Sequence, residues 1–187
     1  MTVSALILAG GKATRFGGRA KHAIEIDGET IFARQVRVLA PRVGEILVSA
    51  QTEIAGYRTV RDADEAAGAG PLAGIAAGLA ACATEWLLVV ACDMPRLTGD
   101  VIDALLALRA PENSAIDAIC ARIGGRPEPL LSVLHARART VVEHRLTAGR
   151  LRASELFTAG ELRVAYLDDP DPRALVNINS PEDLRES

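Results

Sequence analysis

Aromatic side chains are nearly absent from this sequence: one Trp, two Tyr and three Phe among 187 residues, 3% in all. So few rings offer no stacking platform for the bases of single-stranded nucleic acid. Basic charge is not in excess either. Lys and Arg total 21 against 24 Asp and Glu, a formal net charge of −3, whereas nonspecific binders of nucleic acid carry a broad positive field. Nucleic acid is therefore not an expected partner. Cysteine is scarce as well: Cys82, Cys92 and Cys120 are odd in number, scattered and without CxxC spacing. They fit neither a disulfide framework nor a structural zinc site, and a reducing cytoplasm is the expected setting. No apolar run approaches the roughly 20 residues that span a bilayer. The start of the chain, Met1 to Gly10, has too short an apolar patch and too little charge for a secretory signal. No membrane association is expected.

What is present is a globular mixture, 49% hydrophobic and 24% charged, which excludes a disordered or collagen-like chain. The length suits one compact unit, and no repeat, low-complexity tract or linker marks a boundary, so a single domain over residues 1–187 is expected. No long apolar stripe is left over for a large interface, and the expectation is a monomer.

Apolar runs at Val3 to Ala9 and at Trp86 to Ala91 are too short for stable helices and lack polar alternation, so they read as strands buried on both faces, as in parallel sheets. Further strands are predicted at Glu45 to Ala50, Tyr57 to Val60, Asp117 to Arg122, Leu130 to Leu134 and Leu162 to Ala165. Between them lie helical patterns. Thr30 can cap a helix with Phe32, Val36 and Leu39 inward, Arg34 and Arg37 outward, and Pro41 as its stop. Gly70-Pro71 opens an alanine-rich helix to about Ala81, and helices follow at Asp100 to Leu108, Ala138 to Leu146 and Leu151 to Phe157. Ser180-Pro-Glu-Asp183 has the signature of one more helix start. Strands alternating with helices specify an α/β fold, a three-layer α/β/α sandwich around a Rossmann-like, mostly parallel sheet.

The segment Leu8 to Lys21 directly follows the first strand. Its glycines let backbone amides approach a ligand, and Lys12, Arg15, Arg19 and Lys21 supply positive charge, a combination suited to a nucleoside triphosphate. The spacing is neither that of a Walker A loop nor that of GxGxxG. No Asp or Glu precedes Glu25, so positive charge is concentrated here in an otherwise mildly acidic chain. Asp93 ends the second buried strand, where open α/β sheets place ligands, and a carboxylate there can hold Mg²⁺ together with substrate phosphates. Taken singly, the loop can be a basic surface turn and Asp93 a turn residue; two strand-end features at one crevice favour a site. His135 and His144 sit in helix-like, charged surroundings, and Cys92 reads as a packing residue.

Four motifs together resemble the molybdenum cofactor guanylyltransferase family: Leu8-Ala-Gly-Gly11 with Arg15 through Lys21, Gly70-Pro-Leu-Ala-Gly74, Cys92-Asp-Met-Pro95 and Val176-Asn-Ile-Asn-Ser-Pro-Glu-Asp-Leu184. They run from one end of the chain to the other. The resemblance implies a nucleotidyltransferase moving GMP from GTP to molybdopterin or Mo-molybdopterin, with Mg²⁺ as cofactor and transient contact with molybdoenzymes or their chaperones. It implies that Leu8, Ala9, Gly10 and Gly11 cradle the nucleotide, that Arg15, Gly18 and Lys21 meet its triphosphate, and that Asp93 holds the metal. Ser49, Asp62 and Gly70 fall at further nucleotide-binding positions, with Asp64 and Gln51 as neighbouring choices, and Asn177 and Asn179 on the second-substrate side. Arg122 or Arg126, flanking Gly124-Gly125, can meet an anionic pterin phosphate or belong to a plain hairpin. Relatives read Asp-Lys-Gly where this chain has Ala20-Lys21-His22. The alternatives are a cytidylyltransferase of the same fold and, from another class, a nonenzymatic nucleotide-binding regulator or cofactor chaperone, which the missing acid before Lys21 would suit.

Overall fold

A computed structural model describes residues 3–10, 21–61, 70–109, 115–178 and 183. In chain order the strands are β1 (Val3–Leu8), β2 (Glu25–Ile26), β3 (Glu29–Thr30), β4 (Glu45–Ser49), β5 (Arg58–Val60), β6 (Trp86–Ala91), β7 (Ala118–Ile123), β8 (Arg126–His135) and β9 (Val164–Asp168). The α-helices are α1 (Ile31–Leu39), α2 (Pro71–Ala81), α3 (Gly99–Ala107), α4 (Arg139–Thr147) and α5 (Glu155–Thr158). Seven strands form one sheet in the order β5-β4-β1-β6-β8-β7-β9. Pairing is parallel except where β8 lies antiparallel between β6 and β7. The remaining two strands make a small hairpin whose turn, Asp27-Gly28, has positive φ at both residues, the backbone that a two-residue Asp-Gly connection favours.

The apolar runs of β1 and β6 are explained by cover on both faces. Val3, Ala5 and Ile7 of β1 and Leu88 and Val90 of β6 join Leu39 of α1 and Val101, Ile102 and Leu105 of α3 in one core. Leu6, Leu8, Leu87 and Val89 point the other way, into a second core with Leu72, Ile75 and Leu79 of α2, Val142 of α4 and Leu156 of α5. The three layers follow from this alternation. Helix α2 lies close to the sheet because it carries glycine where it touches: a Cβ on Gly78 would stand 2.5 Å from a Leu6 methyl.

Several elements differ from expectation. Strand β8 extends back to Arg126 through Pro127 and Pro129. Its register with β7 jumps from Ser132 opposite Cys120 to Glu128 opposite Ala121, and prolines are tolerated at such irregular points. Strand β9 starts and ends later than expected, its far end held by the pairing of Asp168 with Arg122. The pattern from Leu151 yields only the short helix α5, and Leu151 itself is exposed. His135 is not in a helix: it closes β8, its ring edge-on to Trp86 at 4.8 Å and its Nδ1 accepting the Arg137 amide. Residues 180–182 lie outside the described set, so the expected final helix does too.

Candidate active site

The chain leaves β1 for β4 and β5 and then returns past β1 to β6, so the carboxyl ends of β1 and β6 stand side by side where the strand order reverses. Open α/β sheets bind their ligands at such a place. Leu8 is in register with Ser49 on one side and Ala91 on the other. Beyond the strands, the Ala9 amide donates to the Ser49 carbonyl at 2.9 Å and the Cys92 amide to the Leu8 carbonyl at 3.2 Å. Leu8 and Ala9 are buried, while Gly10 emerges into solvent. What the first two can offer a ligand is therefore backbone.

Helix α2 closes on this edge. A Cβ on Gly74 would stand 2.8 Å from both a Leu8 methyl and the Ser49 hydroxyl oxygen, so only glycine lets the first turns of α2 sit directly on the strand ends. Ser49 is buried beneath it. Gly70, with φ of 70°, caps α2 without a side-chain hydrogen bond, and no acid lies in the first turn. The helix thus turns the positive end of its dipole to this edge, although Pro71 brings no N–H and the Ala73 amide is bonded to the Gly70 carbonyl at 3.2 Å.

Asp93 is half-buried on the turn after β6. The Ile178 amide donates to the Asp93 carbonyl at 2.8 Å, drawing in the C-terminal segment. Next to it, half-buried Asn177 has a buried Oδ1 with no partner among the described residues. Sequence reasoning missed two residues at this edge. Gln35 of α1 reaches the turn, its Nε2 donating to the Ala91 carbonyl at 2.6 Å and more weakly to that of Met94 at 3.4 Å. Glu128 of β8 lies close enough to feel Asp93: burial pushes its carboxyl above the ordinary value, and the negative charge of Asp93 adds to the shift. The sequence signal for Gln35 was a polar residue at i+4 from Ile31 and i−4 from Leu39, and for Glu128 an acid between two prolines.

Lys21 opens a short 3-10 turn, Lys21–Ala23, ahead of the β2–β3 hairpin. His22 on that turn meets the Phe32 ring edge-on at 6.3 Å. Gly11, Arg15, Gly18, Asp62 and Asn179 lie outside the described residues. Arg122 is committed elsewhere, bonded twice to Asp168 at 2.6 and 2.9 Å and stacked on the Tyr166 ring at 4.2 Å. Arg126 is exposed at the start of β8. Cys120, whose thiol burial pushes up to about 12, is not a nucleophile. Cys92 is buried as a packing residue.

Carboxylate oxygens are the donors a divalent cation such as Mg²⁺ would take at this edge, and half-buried Asp93 on the turn after β6 is a residue of that chemistry. Among the described residues no group of three or more His, Cys, Asp or Glu is gathered as a metal cage. One or two carboxylates completed by phosphates is the arrangement usual for Mg²⁺. No helix of the described residues is long and apolar enough to cross a membrane.

Comparison with known proteins agrees in fold and in sequence. Residues 5–162 match the MobA-like NTP transferase domain. A molybdenum cofactor guanylyltransferase of Pseudomonas putida is 35% identical over 98% of this chain and 96% of its own length. One from Pseudomonas paraeruginosa is 38% identical over 96% and 91%. Among solved structures, molybdopterin-guanine dinucleotide biosynthesis protein A from Archaeoglobus fulgidus superimposes with a TM-score of 0.79 at 23% identity, covering 98% of this chain and 95% of that one. The 2-C-methyl-D-erythritol 4-phosphate cytidylyltransferase of Thermus thermophilus does so with a TM-score of 0.73 at 19% identity, covering 100% and 97%. At these identities the two structures speak for the fold alone.

Proposed function

We propose a function that starts from one fact: the chain belongs to the molybdenum cofactor guanylyltransferase family and carries its MobA-like NTP transferase domain. The reaction is transfer of GMP from GTP to the terminal phosphate of molybdopterin or Mo-molybdopterin, forming the guanine dinucleotide and releasing pyrophosphate. A phosphate oxygen of the pterin attacks the α-phosphorus of GTP, a new P–O bond forms, and the bond to the β-phosphate oxygen breaks. The attacking oxygen is already anionic, so the protein need supply no general base. The reading places catalysis in alignment and charge.

In this reading the backbone of Leu8, Ala9, Gly10 and Gly11 cradles the nucleotide beside Ser49, Asp62 and the Gly70 end of α2, and Arg15, Gly18 and Lys21 meet the triphosphate. Asp93 would hold Mg²⁺, which when bound would draw phosphate oxygens together and offset their charge. Lys21 and Arg15 offset the charge that grows on the leaving pyrophosphate. Asn177 and Asn179 face the pterin. The setting is cytoplasmic, the chain acts as a monomer, and recipient molybdoenzymes or their chaperones are transient partners.

The observation that carries the reading is the meeting at one sheet edge of four segments far apart in sequence: Leu8–Gly10, the first turns of α2, the Asp93 turn and Asn177-Ile178. It is tested by measuring pyrophosphate release with Mg²⁺, molybdopterin and each of the four nucleoside triphosphates. Turnover should be largest with GTP. Turnover led by CTP would make the chain a cytidylyltransferase, and tight GTP binding without turnover would make it a nonenzymatic nucleotide-binding protein.

A further inference from the structure

We infer that Gln35 is a positioning residue for Asp93, a neutral clamp that sets the turn on which the carboxylate sits; the inference rests on the role proposed for Asp93. Ile31, Gln35 and Leu39 form the most buried stripe of α1, each 1% exposed or less. The flanking members are apolar, and a third apolar residue would complete the stripe. The glutamine is there instead, with its Oε1 buried and without a partner among the described residues. A buried, unsatisfied acceptor costs stability. Packing alone therefore does not account for this residue.

Its other end accounts for it. Both partners of Nε2, the carbonyls of Ala91 and Met94, can only accept, so the orientation of the amide is fixed with its NH₂ toward the turn. The two carbonyls flank Cys92-Asp93. With the Cys92 amide tied to Leu8 and the Asp93 carbonyl tied to Ile178, the turn is gripped from α1, from β1 and from the C-terminal segment. The grip from α1 has a further consequence. The amide of Ile31 bonds the Ile24 carbonyl at 2.9 Å, and Phe32 contacts His22. The helix thus joins the turn that begins at Lys21 to the turn that carries Asp93, and Gln35 is the link on the Asp93 side.

Gln35→Met keeps the length of the side chain and removes both amide functions; Gln35→Leu serves the same purpose should the first fail to fold. Amide hydrogen exchange over residues 91–94 is followed without ligand. In parallel, kcat and KM are measured with Mg²⁺, GTP and molybdopterin. The variant should exchange faster at 91–94. Its kcat should fall roughly ten- to a hundredfold, the range for groups that orient a metal ligand, with KM for GTP little changed. In an Asp93→Ala background the same substitution should leave residual turnover unaltered. Unchanged exchange at 91–94 would overturn the clamp. Unchanged kcat, or an equal loss with Asp93 already removed, would overturn its action through Asp93. Full turnover by Asp93→Ala alone would sink the role given to Asp93 and the catalytic half of this inference with it. The exchange rates, which need no substrate, distinguish that result from failure of the clamp.

Discussion

Around β7 and β9, Arg122, Arg137 and Arg163 are engaged by carboxylates. Asp117, the residue before β7, accepts from Arg163 through Nε at 2.9 Å, through Nη2 at 3.1 Å and through its backbone amide at 2.9 Å, and from Arg137 as well. Arg122 is paired with Asp168, and the fully buried Arg145 with Glu155 and Glu161. At the carboxyl ends of β1, β4 and β6 the described hydrogen bonds that set the backbone are neutral: amide to carbonyl, and the Gln35 carboxamide to two carbonyls. The two regions have different work to do. Charge pairs fasten elements remote in sequence around β7 and β9, whereas the backbone of the edge proposed to take a triphosphate is set by neutral groups. Cations that already neutralise protein carboxylates have little left for a phosphate.

Substitutions should therefore separate activity from stability along this line. The largest effect is expected for Asp93→Ala. Pyrophosphate release should fall by more than the roughly thousandfold that losing one preorganised donor can cost, with the melting temperature nearly unchanged; turnover retained with the parent's Mg²⁺ dependence would remove Asp93 from the site. Lys21→Ala should lose roughly a hundred- to a thousandfold in kcat, and near-normal kcat would refute its assignment. Asp117→Ala belongs to the other region. It should cost about 2 kcal/mol in urea unfolding, less than the 3 to 5 of a fully buried pair because the arginines are partly solvated, yet leave kcat of the folded protein within about twofold.

The pH dependence follows from the same residue. Hydrogen bonds from Arg163 hold the Asp117 carboxyl well below the usual carboxylate range. Its contribution to stability is present above the unfolded value near pH 4 and is lost as pH falls from there toward the lower folded value. The melting temperature should drop on acidification below about pH 4, and more shallowly in Asp117→Asn; parallel curves for the two proteins would show that Asp117 is not the acid-labile contact. The smallest effect is at the Thr30 cap, whose hydroxyl accepts the Ala33 amide at 3.1 Å. Thr30→Ala should cost about 1 kcal/mol, and a loss well outside that would mean α1 is held differently.

The fold was legible because β1 and β6 are apolar without interruption and because Thr30, Gly70-Pro71 and Gly124-Gly125 punctuate the chain as helix cap, helix start and turn. Less legible were elements set by partners remote in sequence. Strand β8 runs through two prolines that local rules disfavour, and the pairing of β9 is completed by Asp168 against Arg122. At the candidate site, Gly10, Gly70, Asp93 and Asn177 could be named because they stand in motifs at strand or helix ends. Gln35 stands in no motif, and periodicity assigned the inward face of α1 to Phe32, Val36 and Leu39, whereas the deepest stripe is Ile31, Gln35 and Leu39. A side chain whose partner is a backbone carbonyl 56 residues away leaves no local pattern to read.

The claim that nucleotide binds at the carboxyl ends of β1 and β6 is tested most directly by amide hydrogen exchange with and without saturating GTP and Mg²⁺. Protection is predicted at residues 8–10, over the first turn of α2 and at 91–94, with β7 and β9 unchanged. Protection confined to β7 and β9, with none at the ends of β1 and β6, would contradict it.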